Sequence, residues 1–256
     1  MFQCPQMDKS FADQFFAQAY ADGQKENTYF DPRLKLAHAR VLFDCFREHC
    51  PDARRMLEVG AGLGSFAKVA IDAGLHVVAT EMSQTAVQRA RELYGLDVHL
   101  GTLDDLPQHA PFDAVVLWDV IEHCPQPDRV LAHVAERLRP GGRALLSTGN
   151  YESAIRLSGG DAWWCWAPDH YHYFRPDGLR RLGERFGFRD FVVGRVARLA
   201  LMAEPAAPAA RPSPLRFLNP LHVARSVTSR ALNAWARIIW PRHWDLGVML
   251  CRMTKA

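Results

Sequence analysis

The spacing of apolar and polar positions changes character at residue 56. Before it, residues 8–50 carry apolar positions at helical spacing, broken near Asp22-Gly23 and Asp31-Pro32, which predicts two helices. Asp31 is placed to cap the second of them, with Pro32 at its first helical position. After it, short apolar runs at 56–59, 76–80, 98–100, 112–118 and 143–148 alternate with helical stretches at 65–73, 83–93 and 128–138. This alternation predicts crossover units and a parallel sheet covered on both faces. Pro140-Gly141-Gly142 predicts a turn that stops a helix ahead of the next strand. A helix from Pro176 to about Gly187, a strand at 191–196 and a last strand at 248–253 complete the series.

An insertion separates those last two strands. Residues 204–214 hold four prolines and four alanines, a stiff linker composition. Beyond it Leu221, Ala224, Val227, Ala231, Leu232, Trp235, Ile238 and Ile239 fall on one helical face, and Ser226, Ser229, Arg230, Asn233 and Arg237 on the other. The pattern divides the chain into an N-terminal helical cap (1–50), a core (51–198), a Pro/Ala-rich linker with a basic amphipathic helix (199–245), and a last core strand (246–256).

Charge sharpens the reading of the insertion. From Pro205 to Trp244 there are six arginines and no acid, and the formal charge of +3 becomes −3 when those six are set aside. The helix around 215–240 has three readings: packing on the domain, lying on an anionic membrane with Trp235 and Trp240 at the interface, or serving as a dimer contact or acceptor lid. An acidic body argues against nucleic acid as a partner. The 256 residues are 48% hydrophobic and 23% charged, globular proportions that exclude disordered and fibrous classes. No apolar run suits a membrane-spanning helix, and the start Met1-Phe2-Gln3-Cys4-Pro5 lacks the layout of a secretory signal. Six scattered cysteines without a Cys-x-x-Cys pair read as reduced thiols. The expectation is a soluble cytoplasmic enzyme, with peripheral membrane contact through residues 215–240 as its extension.

The strongest chemical signal is Leu57-Glu58-Val59-Gly60-Ala61-Gly62-Leu63-Gly64-Ser65, which follows a predicted strand and opens a predicted helix. Glycines let the backbone turn tightly and approach a ligand closely, and the helix start offers unpaired N–H groups. A plain turn is the simpler reading of such a loop. Three features point to a ligand. The spacing is Gly-x-Gly-x-Gly, not the dinucleotide Gly-x-Gly-x-x-Gly. Glu58, two residues before Gly60, suits an ammonium and repels a pyrophosphate. Glu81, 17 residues after Gly64, ends the next strand and suits a ribose diol. A ligand with a ribose and an amino-acid moiety but no phosphate fits these residues.

With that loop, the chain resembles the class I S-adenosylmethionine-dependent methyltransferases, in order from about Arg54 to Phe188. Gly101-Thr102-Leu103-Asp104-Asp105-Leu106-Pro107 resembles the loop bordering the adenine, and Phe112–His123 the fourth strand with its Glu-His. Leu138-Arg139-Pro140-Gly141-Gly142 resembles the turn into strand five, and Ser147-Thr148-Gly149-Asn150 the end of that strand. Pro168-Asp169-His170-Tyr171-His172-Tyr173-Phe174 resembles a stretch in the branch near the ubiquinone-pathway O-methyltransferases and glycan-cluster methyltransferases. The resemblance implies an α/β fold, a Rossmann-like seven-stranded mostly parallel sheet with helices on both faces, N-terminal helices and a helical insertion before the last strand. It implies S-adenosyl-L-methionine held by Glu58, Gly60, Gly62, Gly64, Glu81, Met82, Leu103, Asp104 and Asp119. Thr102 departs from the pattern where an aspartate is common.

The implied reaction is methyl transfer to a hydroxyl of a small-molecule, glycan or lipid-linked acceptor. Alignment and exclusion of water carry such a displacement on a cationic sulfonium. A hydroxyl acceptor gains from a base, and His123, His170 and His172 are the candidates. His123 could equally hydrogen-bond a loop backbone. The aromatic stretch from Trp163 to Phe174 reads either as a packed lid or as an acceptor wall. Tyr20 and Tyr29 read as ordinary tyrosines or as residues closing over the cofactor, and Asp119 and Glu122 as pocket lining. Asp119 and Asn150 are the sole strand-end pair that could meet a metal, so no metal is expected. A non-catalytic cofactor-binding module and a nicotinamide-dependent oxidoreductase stand as alternatives.

Overall fold

The structure is a computed structural model that describes residues 31–107, 111–160, 163, 165–167, 169–195 and 247–256. The first expected N-terminal helix, Tyr20, Tyr29, the linker and the basic helix at 215–240 lie outside the described residues.

The first described helix, α1 (Pro32–His49), starts as the sequence implies: the Asp31 side chain accepts from the Arg33 N–H at 2.8 Å, and Pro32 fills the first turn. Strand β1 (Arg55–Val59) follows, then α2 (Ser65–Asp72), β2 (His76–Glu81), α3 (Gln84–Tyr94) and the two-residue β3 (His99–Leu100). Ser83 caps α3, and Gly95 ends it in the left-handed region at φ +68°. Next come β4 (Phe112–Trp118), a 3₁₀ turn at Ile121–His123, α4 (Pro127–Arg137), β5 (Leu138–Gly149) and a short α5 (Ala154–Gly159). The chain closes with α6 (Pro176–Glu184), β6 (Phe188–Arg195) and β7 (Val248–Lys255).

The seven strands form one sheet in the order β3-β2-β1-β4-β5-β7-β6. The pairs from β3 to β5 are parallel, while β7 lies antiparallel between β5 and β6. Period-two alternation assigns side chains to faces. Leu57, Val115, Leu117 and Leu146 join Leu131 and Val134 of α4 and Leu179 of α6 in one core. Met56, Ala114, Val116 and Leu145 join Phe46 of α1 and Phe66 of α2 in the other. Their continuous apolar runs in sequence are the signature of strands buried on both sides.

Two differences from the sequence reading bear on how the sheet is built. Pro140-Gly141-Gly142 does not separate α4 from its strand: β5 begins at Leu138, opposite Phe112, and the register then jumps to Arg143 opposite Ala114. The segment is a bulge within the strand, with Gly141 at φ +73°. Strand β6 begins at Phe188, whose ring belongs to the core, three residues earlier than the pattern indicates.

Candidate functional site

Sheet order reverses between β1 and β4, so the loops after these two strands diverge and leave a crevice at their carboxyl ends. The glycine loop occupies one side of it. Gly60, Gly62 and Gly64 have φ of +72°, +54° and +74°, a conformation that side-chain-bearing residues rarely hold. A Cβ on Gly60 would stand 2.6 Å from Val120 Cγ2 across the crevice, so only glycine fits. The Gly60 and Ala61 N–H groups both donate to the Thr80 carbonyl at 2.9 Å, tying the loop to the end of β2.

The two acids that define the ligand chemistry flank this loop. The Glu81 carboxylate accepts from the Gly62 N–H at 2.8 Å and the Ser83 N–H at 2.9 Å. A carboxylate has about four acceptor positions, so capacity remains for a diol. Glu58 is 3% exposed, and its Oε2 has no hydrogen-bond partner among the described residues. Burial pushes its carboxyl up to about 8, against a backbone hydrogen bond from Ala67. A ligand ammonium would satisfy that orphaned oxygen and favour its charged form. A glycine cradle that a Cβ would fill, a diol acceptor and a buried carboxyl with one unpartnered oxygen together fit S-adenosylmethionine.

The loop at 101–107 sits beyond Glu81, since the Gly101 N–H donates to the Glu81 carbonyl at 2.9 Å. Here the side chains of two expected cofactor contacts already have neighbours of their own. The Asp104 carboxylate is taken by α4, with Arg129 Nη2 at 2.8 Å and His133 Nδ1 on its other oxygen. The Leu103 side chain is buried in the core with Leu106 and Leu131, so the backbone of Leu103 is the part of it that could face a ligand. Both residues shape the loop from its far side. Met82, next to Glu81, is 57% exposed at the rim.

The other side of the crevice is built on the ends of β4 and β5. Asp119 adopts φ +53°, unusual for a residue with a side chain, and Ser147 holds it there. The Asp119 N–H donates to the Ser147 Oγ at 3.0 Å and its carbonyl at 3.2 Å, while the Ser147 hydroxyl donates to Asp119 Oδ1 at 2.7 Å. Lys35 and His38, unmarked in the sequence, come within electrostatic reach of Asp119 from α1. Burial lowers Lys35 to about 8, partly offset by Asp119, and burial together with Lys35 lowers His38. Glu122 is 3% exposed, and burial next to Asp119 raises its carboxyl to about 8.

The Asp169–Phe174 stretch returns to the site because the Glu122 carbonyl accepts from the Tyr171 and His172 N–H groups at 2.8 and 3.2 Å. This brings two of the three candidate histidines together. The His123 and His170 rings meet edge to face with centroids 4.6 Å apart. His123 Nδ1 lies 3.0 Å from the Asp169 carbonyl oxygen and 3.3 Å from its Oδ2. Burial and the neighbouring His123 depress His170 to about 4, so its ring is neutral at physiological pH. His172 stands apart, with Nε2 3.3 Å from the Pro125 carbonyl. Beyond His170, the rings of Trp163, Trp166, Tyr173 and Tyr151 pack against one another, and Trp166 is 37% exposed.

Glu122, His123 and His170 also place ligand atoms within 4.8 Å of one another, the one grouping among the described residues spaced to share a cation. The strand-end pair Asp119 and Asn150 did not reveal it, because His170 arrives from a later segment.

A family model described as a methyltransferase domain matches residues 24–191. The chain belongs to this methyltransferase family. It is of the class I type whose cofactor is S-adenosylmethionine, which the crevice fits. The methyltransferase is 36% identical over 135 residues to a ubiquinone biosynthesis O-methyltransferase of Xylella fastidiosa (strain 9a5c), covering 48% of this chain and 54% of that one. It thus spans about half the length of the curated relatives it matches. An S-adenosylmethionine-dependent methyltransferase from Archaeoglobus fulgidus superposes with a TM-score of 0.59 at 16% identity, over 97% of this chain and 100% of that one. The [4+2]-cyclase SpnF superposes with a TM-score of 0.57 at 18% identity, over 99% and 98%. These likenesses establish the fold, and the cyclase shows that the fold alone does not name a reaction. Among the described residues no helix is long and apolar enough to cross a membrane.

Proposed function

We propose that the methyltransferase transfers a methyl group from S-adenosylmethionine to a hydroxyl oxygen of a small molecule, with His123 as the proton acceptor. One observation carries the reading: Asp169 offers His123 Nδ1 two acceptor oxygens, at 3.0 and 3.3 Å, and no donor. Nδ1 therefore holds the proton in the neutral ring, and Nε2 is the nitrogen that takes one. When bound, S-adenosylmethionine supplies a methyl carbon on a cationic sulfonium. Glu58, Glu81 and the glycine cradle orient it. His123 receives the hydroxyl proton at Nε2, and Asp169 stabilises the resulting cation. The neutral His170 ring closes one side against water.

The ubiquinone biosynthesis O-methyltransferase relatives support an oxygen acceptor. The half-exposed Trp166 beside the site suits an acceptor with a flat ring or a sugar face. A glycan or lipid-linked acceptor would join this reading to membrane contact through residues 215–240, which rests on their arginine and tryptophan pattern alone. The test incubates the protein with methyl-labelled S-adenosylmethionine and two matched probes, a catechol and the corresponding aromatic diamine. Label on the catechol oxygen, lost in His123→Gln, is the expected result. Label on nitrogen alone, or turnover unchanged in His123→Gln, overturns it.

A further inference from the structure

The loop at 101–107 is not held by its own packing alone. Three side chains of α4, spaced one helical turn apart, grip it from behind. Arg129 and His133 take the two oxygens of Asp104. Arg137, one turn further on, spreads its guanidinium over three carbonyls: Nη1 donates to Pro107 at 2.8 Å, and Nη2 to Leu106 at 2.7 Å and Leu103 at 3.1 Å. A half-buried guanidinium bonding three backbone oxygens fixes the path of the chain in a way that one ion pair on the surface does not. Within the loop, the Thr102 N–H and hydroxyl both bond Asp105 Oδ2, at 2.8 and 2.9 Å.

The position of the loop gives this grip a consequence for the cofactor. Glu58 lies at the end of β1, Glu81 at the end of β2, and the loop leaves β3 on the far side of Glu81. A ligand whose ammonium meets Glu58 and whose ribose diol meets Glu81 extends its base toward 101–107. We propose that Arg137 is a positioning residue for S-adenosylmethionine, holding the base-facing wall in its binding shape from α4, with Arg129 and His133 as lesser supports. The proposal rests on the cofactor reading of the crevice. Nothing in it depends on the acceptor or on His123.

The test compares the full-length wild type with Arg137→Ala and Arg137→Lys by calorimetric titration with S-adenosylhomocysteine and by thermal melting without ligand. Arg137→Ala is expected to weaken binding about ten- to a hundred-fold, the range for losing charge-assisted hydrogen bonds. Arg137→Lys, which can restore one of the three bonds, falls between. KM for S-adenosylmethionine rises in parallel, while kcat at saturation changes far less, because the reacting atoms lie at the β4 end of the crevice. A drop in melting temperature with unchanged ligand affinity would show a purely structural role and overturn the proposal. Wild-type protein that fails to bind S-adenosylhomocysteine would instead overturn the cofactor reading, so the two failures are distinct. Asp104→Asn tests the lesser supports; a loss exceeding that of Arg137→Ala would contradict the assigned order.

Discussion

Replacing Glu58 by glutamine should stabilise the protein and weaken its cofactor, two effects of opposite sign from one neutral side chain. The carboxyl is raised to about 8 in the folded protein, from an ordinary value of 4.5. A folded state that retains a proton the unfolded chain has released loses stability as pH rises from about 4.5 to about 8, and keeps all of it below. At pH 7 the difference spans roughly 2.5 units, about 3.5 kcal/mol at 1.4 kcal/mol per unit. In a chain of this size that corresponds to roughly 7–14 °C in melting temperature. The glutamine amide keeps an oxygen for the Ala67 bond and has nothing to ionise. Thermal melts at pH 5, 7 and 8.5 should therefore show wild type falling more steeply than the variant, Glu122 contributing equally to both. S-adenosylhomocysteine, which brings the ammonium, should raise the wild-type melting temperature more at pH 8 than at pH 5. Its affinity for the variant should drop roughly ten- to a hundred-fold, as for a lost charge-assisted hydrogen bond. Parallel pH curves for the two proteins, or an unchanged affinity, would refute the assignment of Glu58.

Other outcomes follow from the same geometry. Asp169→Asn keeps the backbone oxygen on His123 but removes the charge, and should lower kcat about 10–100-fold with S-adenosylhomocysteine affinity intact, by the logic of an oriented base; equal turnover would detach Asp169 from the reaction. Gly60→Ala places a methyl 2.6 Å from Val120 Cγ2 at φ +72°, so cofactor binding should fall below detection in titration and recover in part when Val120→Ala is added. Dialysis against a chelator should leave turnover unchanged if His123 acts as a base; loss restored by a divalent cation would make Glu122, His123 and His170 its ligands. Partition into anionic vesicles should disappear on deleting 215–240, and equal partition of the deletion would end the membrane reading.

The features legible in the sequence are those set by neighbours along the chain. The cap at Asp31, the strands buried on both faces and the glycine loop each follow from a local pattern, and the structure places them where that pattern does. What escaped depends on residues far apart in sequence. Asp169 reaches His123 from 46 positions away, and Ser147 reaches Asp119 from 28. Arg137 reads as an ordinary last-turn arginine, and the side chain of Asp104, inside the loop expected to border the adenine, turns to α4 because Arg129 and His133 meet it there. The bulge at 140–142 reads as a turn in sequence because proline and two glycines signal a break without saying whether the sheet resumes on either side.

The central claim is that this crevice moves a methyl group. Purified protein, methyl-labelled S-adenosylmethionine and a whole-cell small-molecule extract, separated afterwards into organic and aqueous phases, test it most directly. Label recovered in either phase on an oxygen-linked methyl, and absent with His123→Gln, is the predicted result, and the phase names the class of acceptor. Tight binding of S-adenosylhomocysteine with no label in either phase would contradict it and leave a cofactor-binding module without turnover.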